Sequence, residues 1–342
     1  MKNKESGRQN SQFSIPNSNF FSNWRGWLNA LSPVLALLAV FGLFVLIAPS
    51  SFATGRNLET IGRQTAIVGV AALGMTMVII SGGIDLSVGS VVALSTVVIA
   101  WLLRYTGVGP LTAAVGGVAA SAFFGLVSGI LITRLRVVPF IVTLGMMLVV
   151  RGAAKGIGQE QKIDVDPSRL AWLDDLLATV PRERSWMLVP AGVWMMIFLA
   201  IGMAALLRYT RLGRHTFAIG SNEQTARLCG VSVERVKVLV YTLGGAFAGL
   251  AGLMQFSRLT VGDPTVAVGL ELNVIAAVVI GGGSLNGGEG SILGTLVGAL
   301  IMTVIASGCT QRGYPNWVQE IITGAIIVIA VALDRLRHRR AT

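Results

Sequence analysis

The sequence predicts an all-α integral membrane protein of about ten transmembrane helices, and three observations carry that prediction. Of 342 residues, 53% are hydrophobic, only 13% are charged and 42 are glycine, a composition no soluble globule of this length adopts. Apolar runs close to the roughly 20 residues that cross a bilayer recur between short polar turns. The net charge of +11 sits in the two ends and in short loops beside those runs. That pattern orients spans in a lipid bilayer and argues against a nucleic-acid partner.

Residues 1–27 are polar, basic and rich in Ser and Asn, without apolar periodicity, and read as a cytoplasmic N-terminal tail. The run Leu28–Ala48 follows. Ser51-Phe52-Ala53 after it resembles a cleavage site, but the run is too long for a signal-peptide core and the stretch ahead of it is too long for a leader. The transmembrane domain spans 28–335, with spans at 30–49, 62–81, 86–103, 111–132, 138–155, 187–207, 238–257, 270–283, 291–309 and 317–334. Arg134, Arg136, the loop 208–237 and the basic tail 336–342 share one side, which the positive-inside rule makes cytoplasmic, with both termini. Arg56, Arg63 and Arg104 fall on the other side, against that bias. Very short glycine-rich turns join spans 2–3 and 8–9, so eight spans plus re-entrant segments is the alternative count.

The long outer (periplasmic) segment is 156–186. Asp166-Pro167 can start a helix there, with Leu170, Leu173, Leu176 and Leu177 on one face, and a connector resting on the bundle is the favoured reading. Two glycine-rich interruptions, Ser81–Ser90 and Gly281–Ser291, break long apolar runs on the cytoplasmic side. Unwound backbone at membrane depth survives only where protein buries it or where it lines a wet cavity. Asp85 ahead of span 3 and Glu271 in the first turn of span 8 read as caps meeting helix dipoles first and as solute contacts second. The pairs Gly125/Gly129, Gly245/Gly249 and Gly294/Gly298 are close-packing faces.

Chemistry is sparse. The chain has no G-x-x-x-x-G-K-[ST] phosphate loop, so any ATP hydrolysis belongs to another subunit. His215 and His338 are its only histidines, and neither H-E-x-x-H nor G-x-S-x-G occurs. Cys229 and Cys309 fall on opposite faces, and no Cys/His cluster has metal-ligand spacing. Catalytic, cofactor and metal sites are therefore not expected.

The loop 208–237 holds Arg208, Arg211, Arg214, Arg227, Arg235 and Lys237 against Glu223 and Glu234. Ser221 and Gln224 read as a capping box, and Gly230 as a left-handed stop. About two helical turns fit between them, far short of the roughly 12–15 residues at which an isolated helix is even marginal. Such a helix lies either on its own bundle or on a cytoplasmic partner, and the residues alone leave both open.

Three stretches then carry a family resemblance: Ala72–Ser90 (ALGMTMVIISGGIDLSVGS), Ala218–Lys237 (AIGSNEQTARLCGVSVERVK) and Ile275–Leu300 (IAAVVIGGGSLNGGEGSILGTLVGAL). In this order they resemble the ribose-type permease subunits of bacterial ATP-binding-cassette importers, and the likeness extends over nearly the whole chain from about residue 30. The resemblance implies a permease bundle like that of type II importers in the bacterial inner membrane. It also implies a second permease subunit, cytoplasmic ATPase subunits that bind the ATP, a periplasmic sugar-binding protein and monosaccharide uptake. It assigns ATPase coupling to Ser221, Asn222, Glu223, Gln224, Thr225, Ala226, Arg227, Leu228, Gly230 and Val231. Pathway or structural candidates are Gly82, Gly83, Asp85, Ser87, Glu271, Asn273, Gly282, Gly283 and Ser284. Thr225, Asn273 and Ala306–Cys309 depart from the usual pattern, and the last two bear on which solute is carried. The alternative is a cassette-independent channel or facilitator for a small polar solute.

Overall fold

A computed structural model describes residues 20–179 and 189–339. The expected tail up to residue 19, residues 180–186 of the outer segment and the last three residues lie outside that range. The ten expected apolar helices are all present. Seven are long and apolar enough to cross a bilayer: α2 (Gly55–Ile80), α3 (Val88–Trp101, continued by a π-turn to Thr106), α4 (Pro110–Leu135), α5 (Pro139–Ile157), α7 (Ala191–Tyr209), α10 (Val233–Leu259) and α12 (Ile292–Gln311). α1 (Phe20–Ile47), α11 (Leu270–Ile280) and α13 (Asn316–Arg339) are apolar over shorter stretches. α1 starts ahead of the expected Leu28, because Phe20, Trp24 and Trp27 already recur at helical spacing in a segment otherwise dominated by Ser and Asn.

α2 and α3 are buried nearly throughout, whereas α4, α5 and α7 turn Phe123, Ile141, Leu148 and Phe198 outward, as side chains facing lipid tails must. Lipid supplies no hydrophobic drive between helices, so close approach has to come from small residues. All three glycine pairs serve that role. Gly125 and Gly129 face Tyr241, Gly245 and Val238 of α10; Gly245 and Gly249 face Ser121 and Gly125 of α4; Gly294 and Gly298 lie on the backbone of Gly281 and Ala277. Thr65–Thr303 (2.6 Å) and Thr76–Thr295 (2.9 Å) hydroxyl pairs bind α2 to α12.

The bundle has two distinct ends. One carries α8 (Arg211–Ser221) and α9 (Glu223–Leu228) and is called the loop end. The other carries a two-residue antiparallel pairing of β1 (Ile163–Asp164) with β2 (Val261–Gly262) and is called the strand end. Both glycine-rich interruptions lie at the loop end, as expected. A third interruption, not anticipated, lies between α10 and α11. From β2 the chain runs beside α3, with Gly262 against Thr96, Val97 and Ala100, and the Ala267 carbonyl against Gly89. Those contacts span about 16 Å of α3 at 1.5 Å per residue. α11, with 11 residues, therefore starts inside the bundle and covers about half of a roughly 30 Å hydrocarbon core. Arg151 on α5 makes this possible by donating to the exposed carbonyls of Pro264 (2.9 Å) and Val266 (2.7 Å).

The segment after α5 is a connector resting on the bundle. Leu170, Leu173, Leu176 and Leu177 are all buried. The expected continuous helix is instead broken: Asp166 caps a single turn, Pro167–Arg169, Ala171 takes φ 45°, ψ −127°, and only α6 (Trp172–Asp175) follows. Arg169 donates to the Leu103 carbonyl (2.7 Å), and Leu177 N–H to Ser257 Oγ (2.9 Å), so tertiary partners set this path.

Candidate coupling and translocation site

At the loop end, Thr210 caps α8 by accepting from Gly213 N–H (3.2 Å), and α8 turns Gly213, Thr216 and Ile219 inward. The next helix, α9, has six residues, and its cap is not the expected box. Ser221 is still helical as the last residue of α8, so it cannot take the extended conformation a cap requires. Asn222 takes it (φ −159°, ψ 103°), and its Oδ1 accepts from Thr225 N–H (2.8 Å). Gln224 therefore stands one position too early to close a box. The C-terminal stop is as read: Gly230 has φ +83°, its N–H donates to Arg227 O (3.0 Å), and Val231 N–H donates to Ala226 O (3.0 Å), a Schellman arrangement.

Only Ala226 of α9 is buried; Glu223, Gln224, Thr225, Arg227 and Leu228 are exposed, Leu228 at 88%. The helix is tied sideways to the first turns of α10, since Lys237 pairs with Glu223 (2.6 Å) and Arg227 bridges Glu223 and Glu234. A hydrogen bond to Glu234, reinforced by its charge, raises the Arg227 guanidinium above its ordinary range. The pairs are solvent-exposed and individually weak, so they orient α9 rather than anchor it.

The backbone just ahead of α9 touches both glycine-rich turns. Gly220 lies on the Ile80 carbonyl at the end of α2 and on Gly288 N, and Gly288 N–H donates to Ile80 O (2.9 Å). Gly287 in turn lies against Gly82 and Gly220. Sequence reading singled out both turns but not Gly220, which joins them; the signal was a glycine inside an otherwise helical stretch.

Within the first turn, Asp85 is buried and Oδ1 accepts from Ser87 N–H (2.8 Å) and Ser87 Oγ (2.6 Å). These bonds close the turn and do not cap α3 as expected: the N-cap is Ser87, which makes no side-chain capping bond. Thr143 of α5 donates to Ile84 O (3.1 Å), and Gly83 leaves room for the Tyr241 hydroxyl. In the second, Gly282 is left-handed, Gly283 packs on the Val278 carbonyl, and Ser284 Oγ accepts from Asn286 N–H (3.3 Å). At the head of α11, Glu271 Oε1 accepts from Gly269 N–H (3.3 Å) while Oε2 is buried against Gly89. Asn273 lies elsewhere: with Gln64, Gln255 and Arg258 it lines a cleft of about 250 Å³ toward the strand end.

A tightly packed apolar bundle with unwound segments inside it, a polar cleft and an exposed capped helix at one end is the architecture of a multi-pass membrane transport subunit. Residues 57–331 match the family described as branched-chain amino acid transport system / permease component, and this chain belongs to that family. It is similar to the ribose import permease protein RbsC of Escherichia coli K12, 38% identical over 92% of this chain and 96% of the relative. It is also similar to the L-arabinose ABC transporter permease protein AraH of Azospirillum brasilense, 37% identical over 92% of this chain and 89% of that one. The fructose import permease protein FrcC of Rhizobium meliloti is 34% identical over 90% and 85%. No solved structure matches the chain.

Proposed function

We propose that this chain is the membrane-spanning permease subunit of an ATP-driven monosaccharide uptake system in the bacterial inner membrane. Its loop end and both termini face the cytoplasm in this reading. The observation that carries it is α9, a helix fixed by Asn222 and Gly230 at its two ends that buries one side chain on its own bundle. A six-residue helix has no independent stability, so this one is built to be completed by a partner. The similarity to permeases named for ribose, arabinose and fructose import supports a cytoplasmic ATPase as that partner and a monosaccharide as cargo. ATP is bound by the ATPase, a second permease subunit completes the pathway, and a periplasmic binding protein delivers the sugar.

In this mechanism, closure of the ATPase subunits pushes on Asn222–Val231. The α8–α9 unit cannot slide, because Gly220 is wedged on Ile80 O and Gly288 N, so the push passes to the ends of α2 and α12. Tilting these helices alternates access to the interior. The test is a tagged pull-down of the full chain from native membranes in mild detergent. Recovery of a cassette ATPase is the expected result; recovery of the permease alone across several detergents overturns the reading in favour of a free-standing channel.

A further inference from the structure

Two neighbouring clefts open at the strand end, and they use their polar groups in opposite ways. The outer one, of about 290 Å³, is lined by Ser51, Asn57, Thr60, Ser307, Thr310 and Gln311 among others. These groups are bonded to one another or to their own helices. Asn57 donates to Phe52 O (2.8 Å), and its Oδ1 accepts from Ser307 Oγ (3.0 Å) and Gln311 Nε2 (3.2 Å). Ser51 Oγ donates to Gln311 Oε1 (2.9 Å), and Thr60 and Thr310 donate to carbonyls one turn back. The outer cleft is a rim braced from within.

The inner cleft, of about 250 Å³, shares Gln64 with the rim and adds Gln255, Asn273 and Thr303. Thr303 is committed to Thr65 Oγ1 (2.6 Å) and Ala299 O (3.1 Å). The three amides are not: each residue is half-buried, and none makes a side-chain hydrogen bond with any described residue. Gln64 stands about 14 Å along α2 from its strand-end start, and Asn273 lies in the first turn of α11, which begins inside the bundle. Amides without protein partners at that depth are costly unless water or a solute bonds them. An amide offers a donor, an acceptor and no net charge, which matches a hydroxyl group, itself both donor and acceptor. Ile67, Leu270 and Met302 add apolar surface for C–H groups. Arg258 also lines this cleft but is exposed, so water solvates its charge. The volume falls below the roughly 300–1,000 Å³ of pockets that take drug-sized ligands, so the cleft suits a smaller solute.

We propose that the inner cleft is a solute-binding station of the permease itself, where Gln64, Gln255 and Asn273 recognise the hydroxyls of an uncharged polyhydroxylated solute of monosaccharide size. The three amides determine specificity, and the self-bonded rim outside them does not. The inference rests on the uptake reading above and deepens it, adding a selection step within the membrane.

The experiment is a cycle of ATP-driven uptake rates in proteoliposomes holding the permease, its ATPase and its binding protein. The labelled probes are neutral pentoses and hexoses, singly deoxygenated analogues of those that enter, and a uronate. Dividing the sugar-to-analogue rate ratio of a variant by that of the wild type cancels the preference of the binding protein, which is the same in both. Gln64→Leu, Gln255→Leu and Asn273→Leu should each erase the preference against one analogue, a change of about two- to tenfold for a neutral hydrogen bond. Gln311→Leu, in the rim, should slow all probes alike; a ratio that shifts there instead overturns the assignment. Gln64→Glu and Asn273→Asp keep the shape but lose the donor, and they decide should a leucine variant fail to assemble. Unchanged ratios in all the amide variants, or preferred entry of the uronate, overturn the assignment and leave the uptake reading standing. Entry of no probe overturns both.

Discussion

Replacing Gly220 by alanine is the sharpest perturbation of the proposed coupling route. A Cβ there overlaps the Ile80 carbonyl oxygen and presses on Gly288 N, both backbone atoms with no rotamer to swing aside. Relief requires α8 to lift off the end of α2 and breaks the Gly288 N–H to Ile80 O bond of 2.9 Å. The lost hydrogen bond costs about 1 kcal/mol and the overpacking about 1–3 kcal/mol, so the junction loosens by about 2–4 kcal/mol. That is small against unfolding a bundle but large against a wedge that has to transmit force. The assay compares sugar uptake with ATP hydrolysis in the reconstituted complex, after the pull-down has shown equal assembly. Gly220→Ala should lower uptake per ATP by more than tenfold, since about 1.4 kcal/mol is already tenfold in an equilibrium. Gly152→Ala and Gly202→Ala serve as controls, because a Cβ at either position meets nothing within 4 Å. Each adds up to about 1 kcal/mol of helix propensity and leaves coupling alone. Wild-type stability and wild-type coupling in Gly220→Ala would refute the claim that force passes through this contact.

Three further outcomes are expected. Gly230→Val forces a β-branched residue into φ +83° at an exposed site, at a cost of about 1–2 kcal/mol or more, and should abolish uptake while the bundle stays folded; normal uptake would sink it. Asp85→Asn retains an oxygen to accept from Ser87 N–H and should keep most activity, whereas Asp85→Ala strands buried donors at about 1–3 kcal/mol; complete loss in Asp85→Asn with intact assembly would place the carboxylate in the pathway. Ser168→Cys, at an exposed strand-end position, should react with an impermeant thiol reagent added outside intact cells, while exposed Cys229 at the loop end labels only after lysis; the reverse pattern overturns the proposed sidedness.

The spans were legible because bilayer thickness fixes how long an apolar run must be, and runs such as 111–132 and 138–155 have few competing readings. What escaped was decided by partners remote in sequence. The extended stretch ahead of α11 reads as ordinary apolar chain through Thr265-Val266-Ala267-Val268, and only Arg151, more than a hundred residues earlier, makes its bare carbonyls tolerable. The cap slipped by one residue because Ser221 and Asn222 are both competent, and the choice depends on where α8 ends. α8 itself was hidden by an inward face of Gly213, Thr216 and Ile219, too small to register as an apolar stripe.

The same smallness explains why the coupling surface and the glycine turns belong to one device. A large inward side chain on α8 would stand the helix off the bundle, so that movement of α9 would dissipate in rotamers. With Gly220 on Ile80 O, and Gly287 on Gly82, backbone meets backbone across three segments, and none can shift without displacing the others. Close-packed interiors transmit strain for this reason. At the strand end the logic reverses: a cleft of about 250 Å³ lined by Gln64, Gln255 and Asn273 leaves space between polar side chains, which suits groups that must release a solute as readily as they accept it. Rigidity where force enters and slack where solute passes are both written in residue size.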